Sequence, residues 1–115
     1  MKFTIPGVAP AQKSLMRPNG SWYANPALEE WDEAVKTATK DIKAPAFPFY
    51  AVTIQISPPS THSKLSSRVK QTLDALTRAG FWKDDQQVAT LAIKYGNGKK
   101  KQTTISIKEA KEKWR

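Results

Sequence analysis

Residues 71–88 of the chain read QTLDALTRAGFWKDDQQV. Leu73 and Leu76, preceded by Leu65 and Val69, recur at helical spacing and make one apolar face. Gly80 stands where such a helix stops, so the pattern predicts a helix over residues 65–79. Phe81-Trp82 leads into Lys83-Asp84-Asp85, an exposed turn, and residues 88–95 then read as a strand. A helix that ends at a glycine and passes through two aromatics into a strand implies that helix and sheet share one core.

Working downstream, Gly96-Asn97-Gly98 with Lys99, Lys100 and Lys101 predicts a hairpin tip, and residues 103–107 the returning strand. The tail KEAKEKWR reads as a short charged helix or a fraying end. Upstream, residues 57–64 (SPPSTHSK) read as a loop. Residues 47–56 read as a strand, in which Val52, Ile54 and Ile56 alternate with Thr53 and Gln55, ended by Pro58-Pro59. Asn25-Pro26 opens a first helix, with Asn as cap and Pro in the first helical position. Glu29, Glu30, Asp32 and Glu33 suit its N-terminal dipole, and Lys36, Lys40 and Lys43 its other end. Leu28, Trp31, Val35, Ala38 and Ile42 form its apolar stripe, and Pro45 ends it. Residues 2–5 read as a strand stopped by Pro6-Gly7, residues 6–20 as irregular, and residues 21–24 as a short strand. Trp22 and Trp31 read as packing residues.

Together these elements predict an α/β chain of the α+β kind. The architecture is a two-layer sandwich in which two helices cover one face of a small mixed sheet of about four or five strands. The 115 residues fit one domain, residues 1–115.

The composition excludes several chemistries. There is no Cys, which removes disulfides, thiolate zinc sites, iron–sulfur clusters and a cysteine nucleophile. The one His, His62, cannot build a multi-histidine metal site. A bound metal would need carboxylates, carbonyls and water, which suits magnesium, manganese or calcium. No apolar run approaches a membrane span and the N-terminus lacks a secretory stretch, so the expected setting is a reducing cytoplasm. The charge is uneven. Residues 1–60 hold 6 basic and 5 acidic side chains, whereas residues 61–115 hold 13 basic and 5 acidic. A half-molecule with that excess suits a polyanion, nucleic acid before an anionic membrane, because no long helix sets a basic face against an aromatic one.

The stretch 71–88 resembles the RusA family of Holliday junction resolvases. The helix ending Leu73-Asp74-Ala75-Leu76, the turn Gly80-Phe81-Trp82 and the run Lys83-Asp84-Asp85-Gln86-Gln87-Val88 carry the resemblance, the last being similar to the family's W-x-D-D-x-Q-V signature. The resemblance implies a homodimer that binds four-way DNA junctions and cuts symmetrically related strands with Mg2+ held by aspartates. It also implies a bacterial cell or a phage-infected host, since such proteins are commonly encoded by phages and prophages. The family's D-[LI]-D-N motif, followed by a Lys three residues later, aligns with Lys64-Leu65-Ser66-Ser67 and Lys70. The Lys is kept, but both motif aspartates are replaced, by Lys64 and Ser66. Asp85, with its neighbour Asp84, is what remains of the acidic cluster.

Losing two carboxylates and gaining an ammonium adds three units of positive charge at the place where a cation would sit. At short range that opposes metal binding by on the order of several kcal/mol. The same ammonium can neutralise a phosphate directly. The expectation is a RusA-like junction or branched-DNA binder of recombination and repair, with impaired or lost nuclease activity. Two alternatives stand beside it. One is an active Mg-dependent junction endonuclease whose site is rebuilt from Asp85, Asp84 and His62 or shared across a dimer. The other is a protein-interaction or inhibitor role on a nuclease fold.

By resemblance, Asp85 and Lys70 are the candidate catalytic residues, and Asp85 and Asp84 the candidate residual metal ligands. The candidate DNA contacts are Lys13, Arg17, Lys64, Arg68, Lys70, Lys99, Lys100 and Lys101. Lys64, Arg68 and Lys70 are expected to line one phosphate-facing surface, with Arg78 as an outlying contact. Asp74 is expected to cap or to pair with Arg78 four residues on, a replacement metal ligand being the alternative. Phe81 and Trp82 are expected to pack the helix end or a dimer interface; a base-stacking wedge is the alternative.

Overall fold

Val52, Ile54 and Ile56 alternate with Thr53 and Gln55, and this period of two puts three apolar side chains on one face of strand β4 (Tyr50–Ser57). The computed structural model describes residues 1–12, 14–57, 62–96 and 98–110, with the backbone alone for residues 62–66 and 85. In chain order the other elements are β1 (Lys2–Pro6), β2 (Ser14–Met16), β3 (Trp22–Ala24), α1 (Ala27–Thr39), α2 (His62–Arg78), β5 (Val88–Tyr95) and β6 (Gln102–Glu109). A single 3-10 turn, Asp85–Gln87, precedes β5.

The main sheet has the order β1-β6-β4-β5, and β2 and β3 form a separate two-stranded ribbon. β5 runs parallel to β4, to which α2 is the crossover, whereas β6 runs antiparallel to both β4 and β1. The sheet is therefore mixed, with both helices contributing to the core on one face, as expected.

Ile5, Val52, Ile54, Ile56, Ile105 and Ile107 supply the sheet side of the core. Trp31 and Val35 of α1, with Val69, Ala75 and Leu76 of α2, close it from above, and Phe81 and Trp82 seal the helix end. The opposite sheet face is polar. It forms a shallow open saddle of about 250 Å3 flanked by Lys2, Lys94 and Lys108.

Several expectations change. The predicted hairpin between β5 and β6 does not form: β6 crosses over β4 and inserts between β4 and β1. Burial decides this. Thr103, Ile105 and Ile107 are all within 1% of full burial and need neighbours on both sides, whereas Leu91 and Ile93 of β5 stay about 40% exposed at the edge. The crossing segment runs close over the end of β4. Gly96 N–H donates to Ile56 O at 2.9 Å, and a Cβ at Gly96 would collide with the Ser57 hydroxyl.

The segment 6–20, expected to be irregular, contains β2. It returns into β3 through Pro18-Asn19-Gly20, with Gly20 N–H to Arg17 O, Arg17 N–H to Ser21 O and Gly20 at φ +88. That is the three-residue hairpin loop whose last position favours glycine. β4 starts at Tyr50 rather than at residue 47, because Pro48 has no N–H for a ladder. Phe47 N–H instead donates to Tyr50 OH, which donates to Pro45 O. α2 starts at His62, inside the expected loop, and Lys108 and Glu109 extend β6 rather than joining a tail helix. Pro58-Pro59 and residues 111–115 lie outside the described residues.

The first helix begins at Ala27, one residue later than expected, with Pro26 ahead of it already in helical φ and ψ. Asn25 Oδ1 accepts Ala27 N–H at 3.0 Å, and α1 runs from Ala27. It ends at Thr39, short of Ile42 and Pro45.

Candidate nucleic-acid interface

Helix α2 turns Val69, Thr72, Ala75 and Leu76 into the core, which leaves Lys70 on the exposed side. Residues two apart on a helix point in different directions, and Arg68 accordingly takes another course. It is half-buried, its Nη1 donates to Ala9 O at 3.2 Å, and its Nε is buried without an acceptor. Arg68 and Lys70 therefore do not share one phosphate-facing surface. Arg68 instead lines a cleft of about 300 Å3 with Ala9, Trp31 and Lys101, where the buried Trp31 Nε1 also lacks an acceptor. The side chain of Lys64 and all of Lys13 lie outside the described residues.

Arg78 does not pair with Asp74. Its guanidinium donates to Asp32 Oδ1 of α1 at 2.7 Å. At the helix end, Gly80 takes φ +90, and its N–H reaches Thr77 O while Phe81 N–H reaches Leu76 O. This paired closure is the Schellman motif that glycine permits.

Phe81 and Trp82 point inward, 2% and 4% exposed. Phe81 stacks on Phe3, Trp82 packs against Tyr50, and Trp82 Nε1 donates to Thr77 Oγ1 at 2.7 Å. They pack the helix end, and at that burial neither a base wedge nor a dimer contact is open to them.

The following turn is a capping box. Asp84 Oδ1 accepts Gln86 N–H at 2.9 Å, and Gln87 Oε1 reaches back to the N–H groups of Lys83 and Asp84. Asp84 thus caps the 3-10 turn that feeds β5. Among the described residues no three Asp, Glu or His side chains come together to hold a metal. His62 opens α2, but its side chain, like that of Asp85, is outside the description.

The remaining candidate bases are exposed. Lys99, Lys100 and Lys101 lie on the segment crossing the end of β4, with Lys101 O accepting Gly7 N–H. Arg17 sits at the ribbon turn with its guanidinium 4.9 Å over the Tyr23 ring. Beside it is the clearest departure from expectation. Trp22, read as a packing residue, is 63% exposed, and Met16 directly opposite is 56% exposed. Once the Pro18-Asn19-Gly20 turn is seen, the two-residue alternation does place Met16 and Trp22 on one face of a ribbon, but three-residue strands carry too short a pattern to show which face is covered.

The family model for the endodeoxyribonuclease RusA matches residues 5–108. The chain belongs to the RusA family. The match covers both helices and reaches from β1 into β6. No curated protein matches the chain. RusA proteins are Holliday junction resolvases that process branched DNA, nucleases generally dependent on a divalent metal. In this RusA-family chain the described residues do not assemble a set of ligands fitted to such a metal. Among the described residues, no helix is long and apolar enough to cross a membrane.

Proposed function

We propose that this RusA-family chain is a branched-DNA-binding protein of recombination and repair whose nuclease activity is weak or lost. The observation that carries the reading is the pair Lys64 and Ser66, standing where the family's motif has aspartates. Lys70 and the run Lys99–Lys101 are the proposed phosphate contacts, joined by Arg17 and by Lys64 in place of a metal. Lys13 is proposed with them from sequence, and Arg68 serves as a neighbour of the cleft rather than as a direct contact.

The proposed assembly is a homodimer, which suits the two-fold symmetry of a four-way junction. Strand β5 supports it: it is a sheet edge whose core-side residues Leu91 and Ile93 remain exposed. The proposed compartment is a reducing cytoplasm, in a bacterium or a phage-infected host.

The test mixes purified protein with a labelled four-way junction and a matched linear duplex. Binding is followed in EDTA, and cleavage in magnesium and then manganese, with Asp85→Asn as control. Junction-selective binding without Asp85-dependent cuts is the expected result. Symmetric cuts that vanish in Asp85→Asn would overturn it and make the chain an active, metal-dependent resolvase. Binding that ignores salt would overturn it in the other direction, toward a protein partner.

A further inference from the structure

We infer that the β2–β3 ribbon carries a nucleobase-stacking site, with Trp22 and Met16 as its platform. The inference rests on the reading that the chain binds branched DNA, and it assigns a part of that surface which the motif residues do not reach.

Three observations carry it. First, the platform is built and bare. Met16 and Trp22 are directly opposed across the ribbon, 56% and 63% exposed, whereas Trp31, Tyr50, Phe81 and Trp82 are at most 4% exposed. Cross-strand neighbours sit within side-chain contact distance, so the thioether and indole present one flat apolar surface. Second, the platform is held at a defined place. The ribbon is closed by Gly20 N–H to Arg17 O, and Asn19 Oδ1 accepts both the N–H and the hydroxyl of Ser21. The ribbon base is tied by Asn25 Nδ2 to Gln12 O at 2.8 Å. Third, the charge fits a nucleic acid. Residues 14–24 contain Arg17 and no acid. Arg17 stacks on Tyr23 and so lies on the ribbon face opposite Trp22, where it adds positive charge to the ribbon without belonging to the platform.

The size of the platform argues against a protein partner. Two side chains match the face of a base, whereas a stable protein interface needs roughly 1,000 Å2 or more. Leu91 and Ile93, also exposed, lie on a different sheet and offer a separate place for a second copy. A four-way junction supplies what the platform needs, since base pairs at its branch point can unstack at lower cost than those within a duplex. A π-face is common to every base, so the site reads unstacking rather than sequence.

The test uses the full chain with Trp22→Ala and Trp22→Phe. Binding to a four-way junction carrying 2-aminopurine at the branch point, and to a linear duplex, is followed by anisotropy and by 2-aminopurine emission. Trp22→Ala is expected to lose roughly 5- to 100-fold in junction affinity with little change for the duplex. Trp22→Phe is expected to recover most of the loss. Quenching of 2-aminopurine is expected with the wild type and Trp22→Phe and not with Trp22→Ala. Unchanged junction affinity in Trp22→Ala overturns the inference and leaves the junction-binding reading intact. Equal losses on junction and duplex overturn it as well. So does a shift of Trp22→Ala to a smaller species in sedimentation, which would make the ribbon an interface between copies. If the wild type binds neither DNA, the proposed function fails and this site fails with it.

Discussion

The Arg78 guanidinium donates to Asp32 Oδ1 at 2.7 Å, so the last turn of α2 is bonded to α1 and not to Asp74 one turn earlier in its own helix. An i,i+4 spacing permits a pair within a helix, but a neighbouring helix with a carboxylate in reach competes for the same cation. Half of the Arg78 side chain and a third of that of Asp32 remain accessible, 51% and 32%, and water screens the pair. Asp32→Ala should therefore cost about 0.2–1 kcal/mol in urea unfolding. A double-mutant cycle should find coupling between Arg78 and Asp32 and none between Arg78 and Asp74.

Gly96 is the point at which the chain crosses β4. Its N–H caps Ile56 O, and Ser57, 2% exposed, blocks the space where a Cβ would go. Gly96→Ala should destabilise by about 1–3 kcal/mol, because the buried serine cannot yield without disturbing the strand end. Gly98 has only an ordinary contact at the same atom group, 3.9 Å from Ser57 Cβ. Gly98→Ala should leave the unfolding midpoint nearly unchanged. Equal effects for the two would mean that the crossing is not tight at Gly96.

Both helices were legible because a stripe at Leu28, Trp31 and Val35, or at Val69, Leu73 and Leu76, has enough repeats to declare its period. The caps were legible for a similar reason: Asn25 and Gly80 act on their own neighbours. Strand pairing was not. The Gly96-Asn97-Gly98 run carries a local hairpin signal, but the place of β6 is set by the burial of Ile105 and Ile107 between two distant strands. At the candidate interface the motif located the turn, and pattern alone could not say where long side chains go. Arg68 reads as surface charge yet bends to Ala9 O, and Trp22 reads as core yet stands in solvent.

Asp84 and Gln87 cap the turn before β5 reciprocally. Asp84→Ala should lower stability by about 0.5–2 kcal/mol, because the Gln86 N–H loses its acceptor. Asp84→Asn keeps a side-chain oxygen and should keep the stability. The pair of variants separates capping from charge: any magnesium-dependent cleavage lost in Asp84→Asn, with the thermal midpoint unchanged, would assign the carboxylate a chemical role.

Trp82 Nε1 is satisfied by one group, the Thr77 hydroxyl at 2.7 Å. Thr77→Val removes that acceptor while keeping the shape, and leaves an N–H on a side chain that is only 4% exposed. The expected cost is about 1–3 kcal/mol by denaturant unfolding. Thr77→Ser should retain most of the stability. Thr77→Val as stable as the wild type would show that water or a shifted neighbour takes over the indole.

Lys70 and Arg68 lie two positions apart on α2 and have opposite surroundings. Lys70 is exposed on α2, and Arg68 is half-buried with Nη1 on Ala9 O. A phosphate contact contributes about 0.9 to the slope of log K against log salt. Lys70→Gln should therefore weaken junction binding and lower the slope by about one, with the unfolding midpoint unchanged. Arg68→Met should do the reverse. It strips the Ala9 carbonyl of its donor and lowers stability, while the salt slope of the folded fraction stays near that of the wild type. Anisotropy titrations at several salt concentrations, paired with unfolding curves for both variants, decide between them. A slope reduced in Arg68→Met and intact in Lys70→Gln would move the phosphate surface from the outer face of α2 to the cleft shared by Trp31, Arg68 and Lys101.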